Sequence, residues 1–332
     1  MMSGQARQKV HFVLSVDTEE EFDWNGDFPQ ENCSVANIRC LPQFHEFCSG
    51  LGVRPTYLVD YPVAAQPDSA AIMKAIHETG QAEIGAHLHP WCTPPFVGTN
   101  SERESHVVNL PPWLVHQKLE ALIEVIQRNI GVTPRAFRTG RWGINSAVLQ
   151  VVKALGFDVD SSVYPYYANE YFSCLDVPDK PYWPDLENPD VAGAQRAIFE
   201  LPVTAGFNRS GFPFWGQLHR AISAPGMRLL RPVGVAWRTG LLRKLYLSPE
   251  LAETADMKAL VSSALKDGHQ VIHMFLHSST LLPGHNAYIG DHSARDDLYG
   301  SIAEVVAALA EQADIAFATL SEAAHSVQLQ AG

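Results

Sequence analysis

The stretch Val10-His11-Phe12-Val13-Leu14-Ser15-Val16-Asp17-Thr18-Glu19 is an apolar, β-prone run that stops at carboxylates. It predicts a buried strand with acidic groups at its C-terminal end. Working outward, the pattern predicts helices over 36–50, 69–79, 111–129, 146–155, 254–266 and 294–312. Asn109 is the expected cap of the third helix, and glycines 50, 80, 131, 156 and 268 stop successive helices. Short strands are expected at 56–59, 83–87, 136–138, 157–160, 197–203, 270–276 and 315–318. Strand and helix alternate from end to end, which implies an α/β fold with a mostly parallel sheet, either a barrel or a doubly wound sheet. In both, chemistry gathers at the C-terminal ends of the strands. Asp17, His87, Arg138, Asp160 and His277 all fall there.

The chain has 332 residues, enough for one large domain or two ordinary ones, and a formal net charge of −12. So acidic a protein is not expected to bind nucleic acid. Five cysteines with no Cys-x-x-Cys spacing argue against a disulfide framework or a zinc knuckle. No apolar run has the length of a membrane span, and Val10–Val16 is too short for a signal-peptide core, so a cytoplasmic protein with no membrane partner is expected. One region breaks the rhythm. Residues 166–250 form an irregular insertion, and within it residues 201–249 contain seven Lys or Arg and no Asp or Glu. A basic insertion on an acidic body suggests a surface for an anionic substrate or partner, unless its arginines pair with the protein's own carboxylates.

Three groups of residues could carry chemistry. In Glu83-Ile84-Gly85-Ala86-His87-Leu88-His89-Pro90-Trp91, His87 and His89 share one face of an extended chain and could reach one metal. Asp17 and Glu19 have the same spacing, so one could complete a two-His-one-carboxylate site while the other acts as general base. Arg138, in Phe137-Arg138-Thr139-Gly140-Arg141-Trp142-Gly143, could orient a carboxylate, and the loop amides could stabilise an oxyanion. In His273-Met274-Phe275-Leu276-His277, His277 suits an acid–base role and the deeper His273 a satisfied core position; His285 lies close enough in sequence to support them. Phosphate-cradling, dinucleotide-binding and nucleophile-elbow motifs are missing, so kinase, dehydrogenase and serine hydrolase chemistry loses support.

Taken in order, these segments resemble the polysaccharide deacetylase family (the NodB homology domain, carbohydrate esterase family four). Leu14–Glu19 resembles its acidic first motif, Glu83–His87 the lead-in to its metal-histidine motif, Phe137–Gly143 its Phe-Arg-x-Pro-Tyr-Gly motif, Gly156–Ser162 its next strand and acid, and Phe275–His277 its terminal Leu-x-His. Within the family the chain is most similar to WalW-like proteins, cytoplasmic members found with surface-polysaccharide genes. The resemblance implies a single catalytic domain over 1–332, an irregular (β/α)7 barrel carrying the long insertion, and removal of N-acetyl groups from a polysaccharide or its sugar precursor. It implies a divalent metal, zinc being the expected one, on Glu19, His87 and His89. Asp17 would be the general base, Arg138 its orienting cation, His277 the general acid, and Asp160 a group that tunes His277 or Arg138. The chain departs from the pattern in three places. Asp-Thr-Glu replaces Asp-Asp, the histidines stand two apart and not four, and Gly140-Arg141-Trp142 replaces Pro-Tyr. Two other readings stay open: a hydrolase of a small amide, allantoinase-like, with a mouth narrowed by Trp91, Trp142 or Trp183, and a metal-free sugar-binding homologue. Nothing in the sequence fixes the oligomeric state.

Overall fold

The computed structural model describes residues 7–21, 28–31, 33–282 and 292–330. Asp23 and His285 lie outside them. Strand β1 (Lys9–Thr18) is the hub. It pairs in parallel with β2 (Thr56–Val59) through Ser15–Thr18, and with β9 (Val271–His277) through His11–Asp17. From β2 the sheet continues through β3 (Glu83–Leu88), β4 (Ala136–Thr139), β5 (Val159–Asp160) and β6 (Phe199–Glu200), every pair parallel. The gap between β6 and β9 is bridged by irregular chain: the Thr204 amide donates to the His273 carbonyl at 2.9 Å and the Phe275 amide to the Leu247 carbonyl at 3.1 Å. The result is an irregular barrel on seven strands. An eighth, β10 (Asp314–Phe317), pairs with the first half of β1.

Period-two alternation divides β1 between two environments. Val10, Phe12, Leu14 and Val16 face the helical layer. Val13 faces inward, where it packs with Leu58, Ala136, Val159, Phe199 and Val271 in an apolar floor. Helix α11 (Leu320–Gln330) adds Leu320, Ala323 and Ala324 to that floor. Gly85 belongs to the same level because a Cβ there would lie 2.6 Å from Leu58 and 2.8 Å from the Ala136 carbonyl. Above the floor the inward positions become polar: Ser15, Arg138, Ser161 and His273, then Asp17, His87 and His277.

The outer helices are α1 (Leu41–Gly50), α2 (Tyr61–Ala65), α3 (Pro67–Glu78), α4 (Glu102–Ser105), α5 (Pro112–Asn129), α6 (Ser146–Ala154), α9 (Thr254–Lys266) and α10 (His292–Gln312). Two expectations need correcting. The helix expected over 36–50 is a 3-10 turn at Ala36–Cys40 followed by α1, because Pro42 has no N–H to carry an α-helical ladder across the join. Asn109 does not cap α5; it belongs to a 3-10 turn and donates to the Arg103 carbonyl at 2.8 Å, leaving Pro111 at the cap.

The stretch 166–250 is less irregular than expected. It contains β6 itself, an antiparallel pair of β7 (Ala205–Phe207) and β8 (Lys244–Tyr246), and helices α7 (Phe212–Ile222) and α8 (Pro232–Arg238). Part of its basic charge is matched internally: Arg220 pairs with Asp176 at 2.8 Å and Arg243 with Asp256 at 2.6 Å.

Candidate active site

Arg138 is fully buried at the end of β4 and organises the centre. Its Nη1 lies 2.5 Å from Asp17 Oδ1, its Nη2 donates to Ser15 Oγ at 2.9 Å and Ser161 Oγ at 3.0 Å, and its Nε donates to the Ser161 carbonyl at 2.9 Å. A guanidinium without water needs this density of acceptors. His273 completes the set. Burial first, then the nearby Arg138 charge, pushes its pKa down to about 3, so the ring is neutral. Its Nδ1 lies 3.1 Å from the Pro202 carbonyl, which can only accept; Nε2 therefore accepts from Ser15 Oγ, 2.8 Å away. Burial works to raise the Asp17 pKa, but Arg138, His87 and His277 outweigh it and hold the carboxyl below its usual range.

Glu19, His87 and His89 converge beside this pair. Glu19 Oε2 is 3.5 Å from His87 Nε2 and 3.2 Å from His89 Nε2. All three are buried, and neither Glu19 carboxyl oxygen has a hydrogen bond. A buried carboxylate facing two imidazole nitrogens with no other donor fits a divalent metal. His89 is fixed from behind: its Nδ1 lies 2.9 Å from Glu20 Oε2, and Glu20 Oε1 accepts the Trp91 indole N–H at 2.7 Å. Burial opposes charge on His89, yet Glu20 and Glu19 raise its pKa well above the usual value. A ligand must give up that proton, so metal binding would release one. Glu20 is held ionised against burial by His89, Asp60 and Trp91, while burial and Glu20 push Asp60 the other way, toward its protonated form. Asp60 also caps α2 by accepting from the Val63 amide at 2.9 Å.

His277 ends β9 with its Nε2 3.8 Å from Asp17 Oδ2. Its Nδ1 lies 2.8 Å from Glu250 Oε2, and Glu250 Oε1 accepts the His277 amide at 2.7 Å and the Thr280 hydroxyl. Burial favours the neutral ring, but Glu250, Glu19 and Asp17 raise its pKa to about 10. His277 is thus an imidazolium beside an ionised carboxylate. It also lines a cavity of about 320 Å³ with Glu250, Trp142, Tyr164, Tyr167 and Phe275. Trp142 stacks on Tyr164 with ring centroids 4.5 Å apart.

Six of the seven expected residues meet here. Asp160 is placed differently, since its hydrogen bonds run to Ser162, at 2.6 Å, and to Glu200. Burial raises the pKa of both carboxyls, Glu200 the more, while Arg138 acts on Asp160 through space in the opposite sense. The oxyanion expectation for the loop after Arg138 is also corrected. The amides of Gly140, Trp142 and Gly143 are engaged with Leu88, Thr139 and Ser162 carbonyls. Of the three tryptophans expected at a mouth, only Trp142 lines the cavity; Trp91 is buried against Glu20 and Trp183 packs on Phe199. Sequence reasoning missed Glu20, Asp60 and Glu250. Glu250 had a signal, as the first carboxylate after 49 residues without one.

No family model and no curated protein matches the chain. Among solved structures it is similar to a putative polysaccharide deacetylase from Mycobacterium smegmatis, at 16% identity and a TM-score of 0.57, covering 100% of this chain and 94% of that one. It is also similar to a probable polysaccharide deacetylase from Pseudomonas aeruginosa PAO1, at 16% identity and a TM-score of 0.50, covering 98% and 92%. The chain has the polysaccharide deacetylase fold. Identity this low carries the architecture and not the substrate. Within the deacetylase fold, the first departure is accommodated by Glu19, whose longer side chain brings its carboxylate to both histidines. The other two departures meet in space. A methyl group on Gly140 would collide with the His89 ring and lie 2.5 Å from the Leu88 carbonyl oxygen, so this conformation requires glycine at 140.

Proposed function

We propose that the protein is a metal-dependent hydrolase that removes N-acetyl groups from a carbohydrate. The observation that carries this reading is the meeting of two units at the C-terminal end of one barrel: Glu19–His87–His89, and the Asp17–Arg138 pair facing His277. An amide is a poor electrophile with a poor leaving group, so its hydrolysis needs a base, a polarising group and an acid. Asp17, ionised and fixed by Arg138, takes the proton of the attacking water. His277, protonated and held by Glu250, delivers a proton to the departing amine nitrogen. Glu19, His87 and His89 would hold a divalent metal, which when bound polarises the acetyl carbonyl and acidifies water. Trp142, Tyr164 and Phe275 give the cavity an apolar wall for the C–H groups of a sugar. A surface polysaccharide or its precursor as substrate, and a cytoplasmic location, follow from the WalW-like resemblance. Among the described residues no helix is long and apolar enough to cross a membrane.

The test is acetate release from N-acetylated oligosaccharides by the zinc-loaded chain and by Asp17→Asn. Release that needs metal and falls about 10²-fold or more in the variant is expected. Full activity in Asp17→Asn, or none on any N-acetylated sugar by the metal-loaded chain, overturns the reading. A cavity of about 320 Å³ lies at the small end of ligand sites, which favours as second reading a small amide substrate. Rates that fall as the oligosaccharide lengthens would select it. A purified chain that takes up no metal but binds sugar would select the binding homologue.

A further inference from the structure

The insertion presents an apolar face that nothing in the catalytic reading uses. Phe214 (62% exposed), Leu218 (37%), Val235 (58%), Trp237 (43%) and Leu241 (54%) lie on α7, α8 and the turn after α8. They are five of the eleven strongly exposed large apolar side chains among the described residues, within 28 positions of the chain. The two helices contact each other, with Phe214 and Leu218 exposed on one and Val235 and Trp237 on the other. Phe214 and Leu218 are one helical turn apart on α7. Clustered exposure of this kind marks an interaction surface.

The charge along this segment is one-sided, although Arg220 and Arg243 are paired with Asp176 and Asp256. Residues 201–249 hold six arginines and one lysine with no carboxylate, while the rest of the chain holds 17 basic against 36 acidic residues. Arg231 and Arg238 are exposed at the two ends of α8, and Arg209 lies over the Trp215 ring, 5.8 Å from its centroid. Aromatic and aliphatic side chains flanked by arginine are what an interfacial segment needs, with rings at headgroup level and cations on anionic phosphates. A glycan would use the arginines and rings but would leave Leu218, Val235 and Leu241 without a role.

We propose that the α7–α8 face docks the protein on a bilayer rich in anionic lipid. The acidic remainder is repelled by such a surface, which favours approach by this face. The face joins the candidate site through β8: Glu250, the partner of His277, follows Tyr246 by four residues. Docking stands on the patch alone and does not depend on the proposed chemistry.

The test is co-sedimentation of the full chain at low salt with phosphatidylcholine vesicles with and without phosphatidylglycerol. Sedimentation only with phosphatidylglycerol, reversed by high salt, is expected. Phe214→Ser combined with Trp237→Ser, and separately Arg231→Ser combined with Arg238→Ser, should each weaken it about tenfold or more at unchanged melting temperature. If the aromatic pair proves structural, Val235→Ser with Leu241→Ser reads the same face. Failure to sediment with phosphatidylglycerol, or unchanged binding by all folded variants, overturns the proposal. So does a wild-type dimer in analytical ultracentrifugation that Trp237→Ser makes monomeric without any vesicle binding.

Discussion

Replacing Glu250 by Gln isolates the source of charge on His277. Gln keeps the shape, and its carbonyl can still accept the Nδ1–H now 2.8 Å from Glu250 Oε2. It removes a buried negative charge and, because an NH2 takes the place of Oε1, the acceptor of the His277 amide. At an effective dielectric constant of about 20, a charge pair at this distance has an attraction of at most about 6 kcal/mol. The retained hydrogen bond, partial exposure of the ring and the remaining pull of Glu19 and Asp17 reduce the net effect. A single opposite charge at close range typically moves a pKa by about 1 to 3. The His277 pKa should therefore fall from about 10 to about 7–9. The assay is NMR titration of the imidazole in the metal-free chain. Stability gives an independent check. Because the folded pKa lies above the ordinary 6.5, the imidazolium stabilises the fold fully below about pH 6.5. That contribution is lost as pH rises through about 10 in the wild type, and through about 7–9 in Glu250→Gln. Denaturant midpoints at intermediate alkaline pH should separate the two proteins. A ring in Glu250→Gln that titrates at or above the wild-type value refutes the assignment of its charge to Glu250.

Three further substitutions act behind the proposed ligands. Glu20→Ala leaves the Trp91 indole N–H without its acceptor and removes the carboxylate behind His89, so zinc affinity measured by chelator competition should fall about 10- to 100-fold. Gly140→Ala should weaken zinc by a comparable factor of about 10 or more, because the new methyl group would collide with His89 Cδ2 and lie 3.2 Å from its Nε2 and so displaces the ring; an unchanged affinity would show that the ring has room to move. Lys118→Met removes the ammonium that donates to the carbonyls of Pro90 at 2.8 Å, Thr93 at 2.6 Å and Pro95 at 2.8 Å. Two buried acceptors and a part-buried one then lose their donor, and unfolding in denaturant should show a loss of about 3 kcal/mol or more.

The barrel was readable because its strands are short apolar runs that change to polar residues at one end, as β1 does between Val16 and Asp17. Residues at strand ends were readable for the same reason, and the topology then brought Asp17, His87, Arg138 and His277 together. Supporting carboxylates were not readable. Glu20 stands in the acidic run Glu19-Glu20-Glu21, where nothing local separates a buried group from solvated neighbours. Only the fold shows Glu20 turned toward His89 and Trp91, 69 and 71 residues away. Asp160 gained a neighbour that the sequence did not show: its partner on the sheet is Glu200, another buried carboxyl, and each shifts the titration of the other.

The histidine spacing looked like damage to a metal site when taken position by position. In three dimensions it is a compensated change. Moving the second histidine to position 89 places its ring directly behind Leu88, in space that a side chain at 140 would fill. Glycine at 140 vacates that space, and its amide closes the gap by donating to the Leu88 carbonyl at 2.9 Å. The following residues then turn tightly, with Arg141 and Trp142 at φ of 63° and 62°. Side chains other than glycine meet strain of about 1–3 kcal/mol in that region. Here it is offset by the Trp142 ring, which stacks on Tyr164 and meets the Arg138 guanidinium at 4.7 Å. The same ring that holds the turn therefore also walls the cavity beside His277. Histidine spacing, glycine and tryptophan thus adjoin in one region of the site.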